Sequence, residues 1–289
     1  MKKGRAAGAP FFDSATLVRP LISTPCRRFL LWLICLLPAA WAGAVAAVPC
    51  PADRIDERAV LKWVHDGDTL VLADGRKVRL IGINTPELAR DDRPAEPLAV
   101  AARDALRDEL RKRLGKGATL ALRYGRDRRD RYGRLLAHVY AGGENITAWL
   151  LRQGYGFVVA VPPNLWQHAC YRRNEARARS ARRGVWSLDY FRPRPAARLS
   201  ARDRGFRIIT GRVLRTGESR RSLWLNLEGG VALRIARRDL DYFGDFDLGA
   251  HAGRRVEARG WLHPRRGRLV MQIRHPFALR LLSSDEGEE

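Results

Sequence analysis

The chain has 289 residues, 46% of them apolar and 29% charged, with 54 Lys and Arg against 31 Asp and Glu for a formal net charge of +23. That length and apolar content exclude a disordered polycation and leave room for one large or two small domains, each with its own core. Because the positive charge is interleaved with aromatic residues on foldable sequence, it points to a polyanionic partner, nucleic acid before a membrane surface.

Residues 1–28 carry Lys2, Lys3, Arg5, Arg19, Arg27 and Arg28, and an apolar stretch over 29–37, Pro38 and alanine-rich sequence to Ala47 follow. This is the pattern of a secretory signal peptide over 1–47, with small residues for cleavage near Ala46 or Ala47. An uncleaved anchor is the alternative, since the apolar core is short but the alanines extend it toward the ~20 residues needed to span. The leader holds six basic residues and one acid, Asp13, so its loss lowers the net charge by five to +18. Of four cysteines, Cys26 and Cys35 fall in the leader, leaving Cys50 and Cys170 as a pair that can bridge in an oxidising compartment.

A strand is expected over 59–65, then a hairpin of two β-patterned runs, 69–73 and 77–83, joined by the turn dipeptide Asp74-Gly75. The charged, proline-broken stretch 88–96 reads as a mobile loop. Apolar Leu98, Ala102, Ala105, Leu106 and Leu110 recur at helical spacing over 97–114, and Gly115 ends that helix. Strands over 119–124 and 135–140 flank an arginine-rich loop, DRRDRYGR at 127–134. A second helix is expected from Asn145 or Ile146 to Gly154, and a third over 164–183, with Asn164 as cap and Gly184 as stop. Five strands with three helices fit a small oligonucleotide-binding (OB) barrel over 48–187.

Residues 188–204, with Pro193 and Pro195, read as a linker. Beyond them, β patterns at 208–214, 223–227, 231–235, 255–261 and 269–275 suit a second small OB-like β-barrel over 205–282, followed by an acidic tail, 283–289. The expected class is α+β, mainly β. The second half has no clustered acids and reads as a binding module in which Trp224 or Trp261 could offer a base platform, against a core role for each.

Chemistry concentrates around the hairpin. Asp66, Asp68, Asn84, Thr85 and Glu87 would flank it, Arg79 would project from its second strand, and Arg134 would come from a later one. Hard oxygen donors, a carboxylate beyond them and two guanidinium groups are the parts needed to cut a phosphodiester with a calcium-type ion. His65, His138 and His168 have no metal-ligand spacing, and Trp149, Trp166 and Trp186 read as core.

The motifs DGDT at 66–69, RLIGINTPE at 79–87, DRYGR at 130–134, LLRQG at 150–154 and EARAR…GVW ending at Trp186 stand in an order that resembles the staphylococcal nuclease family. The resemblance implies that Asp68 is the principal Ca2+ ligand, that Thr85 lends a backbone carbonyl, and that Glu87 orients or deprotonates the attacking water. Arg79 and Arg134 match the phosphate-binding arginines. Two departures stand out: Asn84 replaces a second carboxylate ligand, for which Asp66 could compensate in part, and Ala160 stands near the place of a nucleotide-contacting tyrosine. The expected function is an exported, calcium-dependent nuclease, periplasmic or secreted. It would be monomeric, without a stable membrane partner after signal cleavage, and would act on DNA and RNA, single strands preferred, to leave 3′-phosphates. The alternative is a catalytically silent nucleic-acid-binding protein with tandem OB-like domains.

Overall fold

The computed structural model describes residues 49–90, 93–115, 119–200 and 202–283, so the leader and the acidic tail beyond Ser283 lie outside the described residues. Those residues belong to one compact unit, Val45–Glu289. No helix among them is long and apolar enough to cross a membrane.

In the first half the expected initial strand is interrupted at Val60 into β1 (Glu57–Ala59) and β2 (Leu61–Val64), followed by β3 (Thr69–Leu72), β4 (Lys77–Leu80) and β5 (Ile83–Asn84). Then come α1 (Ala99–Leu114), β6 (Leu120–Arg129), β7 (Leu135–Ala141), β8 (Glu144–Asn145), α2 (Ile146–Gln153), β9 (Phe157–Val158) and α3 (His168–Ser180). β2, β3 and β4 form an antiparallel meander, β4 runs parallel to β7, and β7 returns antiparallel to β6. The bend at Val60 lets β1 pair with β6 while β2 pairs with β3, so one chain stretch nearly closes the barrel. Leu70, Leu72, Val78, Leu80, Leu120, Leu122 and Val139 point inward from its strands and are buried. Each fully buried leucine stabilises the fold by about 1.5–3 kcal/mol.

The helices close the barrel. α1 buries Ala99, Ala102, Leu106 and Leu110 along one face. Asn145 caps α2 by accepting the Ala148 N–H at 3.0 Å, and Gly154 ends it at φ 77°, where a Cβ would sit 2.3 Å from the Arg183 carbonyl oxygen. The third helix is shorter than expected, starting at His168 after Gln167 and ending four residues before Gly184. Asn164 does not cap it, because its side-chain oxygen and nitrogen are taken by the Asp127 N–H and C=O at 3.0 and 2.9 Å. A disulfide joins Cys50 to Cys170 with Cα atoms 5.9 Å apart, tying the start of the described chain to α3.

Within the expected linker, residues 188–200 form short turns and β10 (Arg194–Pro195), which pairs with β11 (Gly205–Ser219) rather than running free. β12 (Ser222–Leu227), β13 (Val231–Ala236), β14 (Arg255–Arg265), β15 (Arg268–Ile273) and β16 (Leu279–Leu281) complete the second sheet. Here β11 pairs with both β12 and β14, β13 runs parallel to β15, and β15 pairs with β14, which closes a five-stranded circuit. Numbered within each half, both circuits run one-two-three-five-four, with strands three and five parallel. A third cluster, in which Phe157, Val185, Phe191, Phe206 and Ile208 are buried, packs the two halves together. Trp261 belongs to it, edge-on to Phe206 at 5.3 Å, and is not an exposed platform.

Candidate active site

The hairpin sets the first half of the site. Asp66 accepts the Asp68 backbone N–H at 3.0 Å, which tightens the turn before β3, and Gly67 lies against Thr85. A Cβ at Gly67 would fall 2.6 Å from the Thr85 hydroxyl oxygen, so the approach needs glycine. Asp68 is buried, and its Oδ2 accepts the Thr85 N–H at 3.0 Å and the Thr85 hydroxyl at 3.1 Å. Arg79, opposite Thr69 in the β3–β4 register, brings Nη2 to 2.9 Å from the same oxygen. Oδ1 accepts the Thr69 hydroxyl at 3.2 Å.

Burial pushes the Asp68 carboxyl up to about 6; Arg79 opposes that shift, while the negative charges of Asp66 and Glu87 add to it. A cation beside Asp68 would relieve this concentration of negative charge.

Arg134 enters from the turn before β7. Its Nε donates to Asp130 Oδ2 at 2.7 Å, and its Nη1 reaches the Thr69 hydroxyl at 3.5 Å. Burial would raise the Asp130 carboxyl, yet its bonds from Arg134 outweigh burial and hold it low, so it remains a fixed anion that aims the arginine. Asn84 is buried and turns its amide nitrogen toward the Thr85 carbonyl oxygen at 3.3 Å. Glu87 stands at the solvent edge, its carboxylate 3.9 Å from Arg90.

The structure thus brings Asp66, Asp68, Arg79 and Thr85 into one bonded cluster, joins Asn84 to it through the Thr85 carbonyl and Arg134 through Thr69, and leaves Glu87 at the solvent edge. Among the described residues there is no group of three His, Cys, Asp or Glu that could hold a metal ion. The donor set still fits a hard ion: one carboxylate, one amide side chain and one backbone carbonyl are all oxygen donors, with water completing the shell. Asp68, Asn84 and Thr85 would hold it.

Sequence reasoning missed Glu96. Its Oε2 accepts the Glu87 backbone N–H at 3.0 Å, its own N–H donates to the Glu87 carbonyl at 2.9 Å, and Oε1 receives Arg207 Nη1 at 3.2 Å and the Tyr190 hydroxyl at 3.3 Å. The stretch expected to be a mobile loop is therefore tied down at Glu96, and Arg90 and Arg93 exchange backbone hydrogen bonds at 3.0 and 2.8 Å. No local motif marks Glu96, because its partner Arg207 lies 111 residues away. His138 packs in the interior, with Nδ1 2.6 Å from the Tyr171 hydroxyl, and the half-buried His168 packs edge-on to Phe277.

A family model described as staphylococcal nuclease homologue matches residues 77–188. A thermonuclease of Staphylococcus intermedius is 31% identical over 133 residues, 45% of this chain and 76% of that protein. The endonuclease YncB of Bacillus subtilis is 35% identical over 127 residues, 42% of this chain and 58% of that protein. With the barrel, the Asp68 cluster and both arginines in place, the chain belongs to the staphylococcal nuclease homologue family.

Proposed function

We propose that this phosphodiester-hydrolysing nuclease works with calcium, takes DNA and RNA with single strands preferred, and leaves 3′-phosphates. The observation that carries the reading is the buried Asp68 carboxylate against Arg79 and Thr85, with the exposed Glu87 carboxylate at the solvent edge, 3.9 Å from Arg90. When bound, the ion would polarise a phosphate oxygen and gather water. Glu87 is placed to accept the proton of an attacking water. Arg79, whose Nη1 is held by the Leu80 carbonyl and Nη2 by Asp68, and Arg134 would meet the equatorial oxygens with their remaining N–H groups, and the charge that develops there would strengthen both contacts. The Asp130 carboxylate holds Arg134 in its pose. The 5′ oxygen is the leaving group.

Export is supported by the Cys50–Cys170 disulfide, which suits an oxidising compartment such as a periplasm or the cell exterior. We read the second circuit as a further OB-like barrel on the strength of its strand order, and the protein as a monomer. Retention of an uncleaved leader would anchor the same module to a membrane.

The test is cleavage of single-stranded DNA in calcium against chelator, with end-group analysis of the products. Glu87→Gln and Arg79→Lys are expected to lower turnover by roughly 100-fold or more with little change in substrate affinity, since Glu87 acts on the proton of the attacking water and Arg79 on charge that develops around phosphorus. A loss confined to affinity would reject those roles.

A further inference from the structure

The outer face of the second barrel repeats part of the first without its acids. In the catalytic barrel Arg79 lies on the outer face of the third strand and Arg134 immediately precedes the fifth. In the second barrel Arg234 lies on the outer face of the third strand and Arg268 opens the fifth. The equivalence is topological rather than residue for residue, because Val78 pairs with Leu135 and Val231 with Leu269, which places Arg234 two residues further along its strand than Arg79. Where the first barrel sets Asp68 against its arginine, the second sets an indole: Trp224 is opposite Arg234 in the β12–β13 register.

Trp224 is half-buried on the side of the sheet away from the core, since its neighbours Leu223 and Leu225 point inward. Its Nε1 donates to Ser219 Oγ at 3.3 Å, which fixes the ring. The guanidinium carbons of Arg268 and Arg234 lie 5.4 and 5.9 Å from the ring centroid. Both arginines are oriented by neutral groups, Arg234 Nε by Ser222 Oγ at 2.8 Å and Arg268 Nη1 by Asn226 Oδ1 at 3.4 Å. Arg265, paired with Arg268 across β14–β15, and Arg215, paired with Asn226 across β11–β12, share this face. No carboxylate among the described residues pairs with any of these four arginines. Elsewhere on the same barrel Arg237 pairs with Glu218, Arg259 with Glu175 and Arg274 with Asp239.

Four guanidinium groups with no carboxylate partner among the described residues, two of them beside a fixed indole, form a surface for a polymer that alternates phosphates and flat bases. We propose that this face is a second, non-hydrolytic binding site for single-stranded nucleic acid, with a base stacked on Trp224 and Arg234 and Arg268 on the flanking phosphates. A duplex buries its base faces, so an indole platform selects the single strand. The choice of occupant rests on the nuclease reading above; the chemistry of the face does not. Hydrolysis is not expected there, because nothing on the face takes the place of Asp68 or Glu87.

The full-length protein, held in chelator so that no substrate is cut, should be titrated with a single strand of about 30 nucleotides, a duplex of equal length and a dinucleotide. Trp224→Ala is expected to weaken the long single strand about tenfold, and Trp224→Phe, which keeps a ring, only two- to threefold. Arg234→Gln with Arg268→Gln should reduce the slope of log affinity against log salt by about 1.4, two phosphates at ~0.7 each. Dinucleotide affinity should not move in any variant. Wild-type affinity for the long strand in both the Trp224→Phe and the double arginine variant, each with an unchanged melting temperature, overturns the proposal. An equal loss on the duplex overturns the single-strand assignment. Failure of the nuclease reading has a different signature, an absence of chelator-sensitive cleavage in the wild-type protein.

Discussion

At the scale of single residues the site depends on two contacts that carry no charge of their own. Gly67 lets the hairpin turn close onto Thr85, and the Thr85 N–H and hydroxyl then hold one oxygen of Asp68. Gly67→Ala would press a methyl into that hydroxyl, and the neighbour to be moved is part of the site. We expect a stability loss of about 1–3 kcal/mol and at least a tenfold fall in turnover, measured by denaturant unfolding and by initial rates on the same preparation. Activity at the wild-type level would show that the Thr85 to Asp68 contact is dispensable. Glu96 acts one step further out, on the backbone that carries Glu87. Glu96→Ala should lower kcat about tenfold with KM little changed, and Glu96→Gln should recover most of it, because an amide oxygen still accepts the Glu87 N–H. Equal losses in the two variants would point to charge rather than positioning.

Among elements, much of the barrel was legible because strand alternation and caps are local signals. The hairpin around Asp74-Gly75, the Asn145 cap and the Gly154 stop all lie within a few residues of what they control. The start of α3 was not legible, since Asn164 has the chemistry of a cap but gives its hydrogen bonds to Asp127, 37 residues away. Nor could Trp224 and Trp261 be told apart, as both sit on strands of period two and only the distant Phe206 decides which is covered. Packing between elements also sets a pH response. His138 links β7 to α3 through Tyr171, and its Nε2 is buried without a hydrogen-bond partner among the described residues. Burial, with Arg123 adding to it, depresses its pKa to about 3, and burial with His275 and Arg172 depresses that of His168 to about 4. Above pH 6.5 each is neutral whether folded or unfolded, and its contribution to stability is fully present. As pH falls below 6.5 the unfolded chain takes up protons that the native state refuses, and about 1.4 kcal/mol per pH unit is lost for each such histidine. Asp53 and Glu57, whose pKa values folding depresses, contribute stability that is present above their unfolded values of 3.8 and 4.5 and is lost only as pH falls below them. Asp68, pushed up to about 6, and His275, lowered by burial, titrate in the same window, so the histidine part is read by difference: between pH 6.5 and 4.5 the urea midpoint of His168→Asn should fall less than that of the wild type. An equal decline in the variant and the wild type would contradict the neutral burial of His168.

Across the whole molecule, a pass along the sequence separates the two barrels at a linker, whereas the structure couples them through contacts that lie far apart in the chain. One coupling runs from Arg207 on β11 through Glu96 to the backbone of Glu87. The other is the buried pair of Glu175 on α3 and Arg259 on β14, 2.9 Å apart. Glu175 also accepts the Val158 N–H at 2.7 Å, and Val158 and Phe157 on β9 pair with Ile83 and Asn84 on β5. The second barrel thus supports the strand that delivers Asn84 and Thr85 to the site. Removing one partner of a buried pair leaves a desolvated charge, so Arg259→Leu should cost about 3–5 kcal/mol. Adding Glu175→Gln removes that charge while keeping an acceptor for Val158, and the double variant should regain more than about 1 kcal/mol of the loss. Because Glu175 holds Val158 on β9, which pairs with β5, the calcium affinity proposed above should fall in Arg259→Leu, by isothermal titration, and return in part in the double variant. A stability loss with unchanged calcium affinity would confine the pair to holding the barrels together. Equal stability of the single and double variants would show that the unpaired carboxylate is not the source of the loss.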